Sequence, residues 1–125
     1  MYQSLEETRV YVLATEIADA VWNQVATWKI FERDTIGKQL VRAADSISAN
    51  IAESYGRHHG GDVPLFLYYA RGSLYETKDW LGKASRRKMG QADEIERIQE
   101  QLKMLAPQLN AYITAKKNSL RSRTP

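Results

Sequence analysis

The sequence contains no cysteine, which excludes disulfides and thiolate zinc sites and fits a reducing cytosol. Its apolar runs are only a few residues long, too short to span a bilayer. The start, Met1-Tyr2-Gln3-Ser4 followed at once by Glu6 and Glu7, lacks the basic and apolar regions of a signal peptide. A cytoplasmic location is therefore expected. Acidic residues disappear after Glu100, while Lys103, Lys116, Lys117, Arg121 and Arg123 follow. No alternating β pattern competes with the helical periodicity described below.

What is present is the composition of one globular domain. The chain has 125 residues, 43% hydrophobic and 26% charged, enough to bury a core without staples. The net charge of +3 is unevenly spread. Residues 1–27 carry Glu6, Glu7, Glu16 and Asp19 against Arg9, whereas residues 58–88 carry six cations against three acids. This asymmetry points towards a polyanionic partner.

Four segments show helical spacing. The first opens on Ser4-Leu5-Glu6-Glu7, a capping box, and places Val10, Leu13, Ile17, Val21, Val25 and Trp28 on one face. Lys29 to Asp34 break that stripe. Asp34 or Thr35 is expected to cap a second helix, with Ile36, Leu40, Ala43, Ala44, Ile47 and Ile51 inward and Gly56 at its left-handed end. Asp62 and Pro64 suit the start of a third helix, with Phe66, Ala70, Ser73, Leu74, Thr77, Leu81 and Ala84 on its core side and its end near Met89-Gly90. Asp93 and Glu94 open a fourth, which runs through Ile95, Ile98, Leu102, Leu105, Leu109 and Tyr112. Pro107 is expected to kink it or end it early. From Lys116 the periodicity fades. Residues 1–118 are thus assigned to the bundle and 119–125 to a flexible basic tail. Short connections between long helices predict an all-α, antiparallel, up-down-up-down four-helix bundle.

Several side chains ask for more than a lone bundle. Arg42, Ser46, Asn50 and Glu53 share a stripe on the second helix, and Arg71, Gly72, Ser73 and Glu76 lie mid-way along the third. A mid-helix glycine such as Gly72 suggests close packing. Tyr68, Gly72 and Tyr75 on helix three, with Tyr11, Ala18 and Trp22 on helix one, form second faces suited to a subunit contact.

Chemistry is harder to find. His58 and His59 with Asp62 lack the i,i+4 spacing of helical metal ligands and are read as a solvated loop. Ser46, Ser48 and Ser54 have no nucleophile-elbow context, and Gly60-Gly61 lacks the Lys-Ser/Thr of a phosphate loop. No enzyme, metal or cofactor is expected. Lys83, Arg86, Arg87 and Lys88 are the sharpest candidates for phosphate contact, with Lys116, Lys117, Arg121 and Arg123 in support. Cations at a helix C-terminus also complement the macrodipole, so their presence alone is ambiguous.

The run from Gln39 to Arg57, containing Arg42-Ala43-Ala44-Asp45-Ser46 and Asn50-Ile51-Ala52-Glu53-Ser54-Tyr55-Gly56-Arg57, resembles a signature of the four-helix bundle proteins encoded in intervening sequences of bacterial 23S rRNA genes. Phe66 to Glu76 resembles that family's second signature, in the same order and spacing, and the likeness covers roughly residues 5–113. These proteins are sometimes labelled S23-type ribosomal proteins. The resemblance implies a ring of five subunits, a basic surface around a central channel and no established enzymatic activity. It also implies kinship with the accessory variability determinants of diversity-generating retroelements, which are associated with a reverse transcriptase and nucleic acid. Ser54, where the family usually has glycine, and Pro107 are departures. The matching polar positions are Arg42, Ser46, Asn50, Glu53, Arg71, Ser73 and Glu76, read as a structural network in which Glu53 and Glu76 pair with Arg42 or Arg71. Two functional expectations follow: a nucleic-acid-binding ring, RNA or DNA, and a protein-binding scaffold such as a reverse-transcriptase accessory factor.

Overall fold

The computed structural model describes residues 3–57 and 61–122, with side chains to residue 120. Among the described residues there are four long helices and no strand: α1 (Arg9–Val25), α2 (Lys38–Gly56), α3 (Val63–Arg86) and α4 (Ala92–Ser122). Helix α1 packs on α2 and α4, α2 on α3, and α3 on α4, so the four enclose one core. Ile17, Val21, Leu40, Ile47, Ile51, Leu67, Leu81, Ile95, Ile98, Leu105 and Leu109 are fully buried there. Leu and Ile side chains of this kind each contribute about 1.5–3 kcal/mol on burial.

The helix starts differ from those read in the sequence. The capping box forms, with Glu7 Oε1 accepting from Ser4 N–H at 3.0 Å and Ser4 Oγ at 2.7 Å. It closes only a 3-10 turn, Leu5–Glu7, and the α-helix begins after Thr8. Neither Asp34 nor Thr35 caps α2. The chain turns helical at Ile30–Glu32, passes through a π-helical turn at Arg33–Gly37 and enters α2 without a break. Thr35 Oγ1 donates to the Phe31 carbonyl at 2.7 Å inside this turn. The wider turn is matched to Gly37, where a Cβ would lie 2.7 Å from Val25 Cγ1 and 3.4 Å from the Trp28 ring. Only a residue without a side chain lets the turn lie that close to α1.

The helix ends are equally informative. Gly56 is the last residue of α2 and is not left-handed; Arg57 follows it, with φ −110°. Arg57 pairs with Asp62 at 2.8 Å and Glu53 at 3.6 Å, and its guanidinium lies 4.7 Å from the Phe66 ring centre. Asp62 thus stands at the N-cap of α3 but spends its carboxylate on Arg57. Helix α3 closes in a Schellman arrangement: Met89 N–H donates to the Ala84 carbonyl at 2.9 Å and Lys88 N–H to that of Ser85 at 3.2 Å. The left-handed residue is Lys88, with φ 56°, where glycine is usual.

The core stripes of α1 and α2 match the sequence reading, with one correction. Ala18 lies in the core at 6% exposure rather than on a second face. On α3, Ala70, Leu74, Thr77, Leu81 and Ala84 are buried as expected, but in the first turns Leu67 takes the core position read for Phe66, which is only half-buried. Pro107 does not end α4, which continues to Ser122 through the stretch expected to lose its periodicity. Pro107 and Lys103, whose carbonyl loses its i+4 donor, are both exposed, so water can satisfy that oxygen.

Candidate nucleic-acid interface

Helix α3 carries its cations towards its C-terminal end. Lys83 is engaged within the chain: its ammonium pairs with Asp79 and lies 4.4 Å from the centre of the Trp80 ring. Arg86, Arg87 and Lys88 are exposed and have no acidic partner among the described residues. Their backbone is anchored. The Schellman bonds fix Lys88 and Met89, and Met89 is buried. Next, Gly90 adopts φ +67°, and a Cβ there would collide with Gln24 Oε1 and Trp28 Nε1. Gln24, buried, accepts from Trp28 Nε1 at 3.3 Å and from Gln91 N–H at 2.9 Å. This junction, invisible to periodicity arguments, ties the α3–α4 connection to the end of α1.

Arg87 and Lys88 border a cleft of about 450 Å³ whose other walls are Phe31, Glu32, Thr35, Ile36 and Met89. The π-turn therefore faces the basic turn. Phe31 is 78% exposed and its neighbour Ile30 69%. No sequence signal marks Phe31, because it lies in the segment from Lys29 to Asp34 that breaks the first apolar stripe.

The other expected cations lie elsewhere. Lys117 and Arg71 approach the Tyr68 ring at 5.7 Å and 5.0 Å, and Lys116 the Tyr112 ring at 5.2 Å. Tyr68 and Arg86 are 18 positions apart in one helix, about 27 Å along its axis. Lys116 and Lys117 thus belong to a separate surface from Arg86–Lys88. Arg121 is helical, but its side chain lies outside the described residues, as do Arg123, His58 and His59.

Of the polar stripe, the structure joins Ser46, Asn50 and Ser73. Ser73 Oγ and Asn50 Nδ2 both donate to Ser46 Oγ, at 2.8 Å and 3.0 Å. The charged members do not pair across α2 and α3 as anticipated. Arg42 donates to Gln39 at 2.9 Å, Arg71 to Asn110 at 3.2 Å, Glu53 pairs with Arg57, and Glu76 is exposed. Of the residues read as a subunit face, Tyr11 and Tyr68 pack half-buried against the chain's own core. Trp22 and Tyr75 are 61% and 57% exposed. A Cβ at Gly72 would meet nothing within 4 Å among the described residues, so no packing among them requires that glycine.

No helix among the described residues is long and apolar enough to cross a membrane. No curated protein matches the sequence. Among solved structures, the chain is similar to a protein of unknown function from the S23 ribosomal protein family of Bacteroides thetaiotaomicron, with a TM-score of 0.73, 24% identity, and coverage of 83% of this chain and 97% of that one. At that identity the likeness concerns the fold. The family model described as 23S rRNA-intervening sequence protein matches residues 6–111, and the chain belongs to that family.

Proposed function

We propose that the chain is a non-enzymatic, oligomeric nucleic-acid-binding protein that contacts phosphates through Arg86, Arg87 and Lys88. The observation that carries this reading is the exposed basic turn, free of acidic partners among the described residues and held on a fixed backbone. The subunit is taken as an antiparallel up-down bundle, since few residues connect its long helices. Five such subunits in a ring, as the family resemblance implies, would repeat the basic turn and raise its avidity for a polyanion.

The test is a salt titration of binding to a labelled RNA and an unrelated DNA duplex, comparing wild type with the Arg86→Ala, Arg87→Ala double variant. Each lost phosphate contact should flatten the slope of log affinity against log salt by about 0.9 for a duplex or about 0.7 for a single strand. Helicity should not change. Absence of binding by wild type at low salt overturns the reading. A protein-scaffold role, including that of an accessory to a retroelement reverse transcriptase, then takes its place, supported by the exposed Trp22 and Tyr75.

A further inference from the structure

We infer that the cleft between the π-turn and the basic turn binds single-stranded nucleic acid, with Phe31 as a stacking platform for a base and Arg87 and Lys88 as phosphate contacts. This rests on the nucleic-acid reading above and narrows it to one class of strand.

Three observations converge. Phe31 presents a large apolar ring to solvent, 78% exposed. It lines the same cleft as two unpaired cations, and at about 450 Å³ that cleft falls in the size range of small-ligand sites. Both walls are tied by local hydrogen bonds. Thr35 Oγ1 ties back to the Phe31 carbonyl, and the Schellman bonds hold Lys88 in a left-handed conformation that a lysine adopts only at a cost.

An aromatic face beside phosphate-binding cations discriminates between strand types. In a duplex the base faces are already stacked on one another, so Phe31 would gain nothing beyond the electrostatic term. In a single strand every base offers a free face, and stacking adds to phosphate contact with little sequence preference. Glu32, also in the cleft wall, opposes a phosphate. Its replacement by Gln should strengthen binding.

The experiment measures anisotropy of a labelled single strand of about 12 nucleotides, a length one small domain can cover. The same strand is also presented as a duplex and as an abasic strand. Wild type should prefer the single strand over both. Phe31→Ala should weaken single-strand binding by roughly 10-fold, from the usual worth of one base–aromatic stack. It should leave duplex binding and the salt slope unaltered. Phe31→Tyr should restore binding, whereas Phe31→Leu, apolar but without a ring face, should not. Equal affinity for all three probes with a neutral Phe31→Ala overturns the inference and leaves the phosphate reading standing. Binding to none of them overturns both. If Phe31→Ala alters only the mass of the assembly, the ring belongs to a subunit contact and the inference fails.

Discussion

Lys88 and Gly90 both have positive φ, yet they respond to substitution in opposite ways. Lys88 occupies the left-handed end of α3, a conformation that costs an ordinary L-residue about 1–2 kcal/mol. Lys88→Gly removes that cost and adds about 0.5–1 kcal/mol of backbone entropy loss, so the thermal midpoint should rise by roughly 2–4 °C. Lys88→Ala retains the strain and should leave the midpoint where it is, which separates backbone from charge. Gly90 is different because its space is filled: a Cβ meets Gln24 and Trp28 in the buried junction. Gly90→Ala should destabilise by at least about 2 kcal/mol. Thermal scans of the three variants settle both points. An equal rise for Lys88→Gly and Lys88→Ala would show that charge repulsion, not backbone strain, governs the turn.

At the scale of elements, periodicity made the inward faces of α1, α2 and α4, and of α3 from Ala70 onward, legible, because apolar residues at three-and-four spacing have only one place to go. What it missed were the places where helices begin, end or change pitch. Asp34 and Thr35 look like caps, yet Gly37 allows a π-turn against Val25 and lets the helix start earlier, at Ile30. Pro107 looks like a breaker but sits on an exposed face where its orphaned acceptor reaches water. The basic turn was legible as a string of cations. Its opposite wall was not, since Phe31 lies in the helical turn Ile30–Glu32, which no apolar stripe marks in the sequence.

The α1–α2 contact also carries a pH dependence. Partial desolvation, and then the charge of Asp19, raise the Asp45 carboxyl from its ordinary value. The folded state therefore binds protons more readily than the unfolded chain, and stability falls as pH rises through that window. Asp45→Asn should raise the thermal midpoint at pH 7, an advantage that fades as the pH drops and vanishes by about pH 3, where both states are protonated. Asp45 still reaches solvent, so screening keeps the effect small. A variant whose advantage grew on acidification would contradict this account.

For the whole molecule, the exposed aromatics bear on assembly. Within one chain Trp22 and Tyr75 are 61% and 57% exposed, and nothing among the described residues requires Gly72 to be small. Single exposed hydrophobics are ordinary on a monomer. An aromatic beside a bare stretch of helix backbone, however, leaves room for a neighbouring subunit to approach closely. If these residues are covered in a ring, light scattering at micromolar concentration should give a mass several times 14.3 kDa. The thermal midpoint should then rise with protein concentration. Trp22→Glu and Tyr75→Lys should each shift the mass towards that of one chain. Their effect on the isolated subunit should stay within about 0.5 kcal/mol, as expected of exposed positions, so helicity reports that folding is intact. Loss of mass with retained helicity assigns the surface to subunit contact. A wild type that runs as a single chain at every concentration would remove the ring, and with it the avidity on which tight binding of a polyanion by three cations per subunit depends.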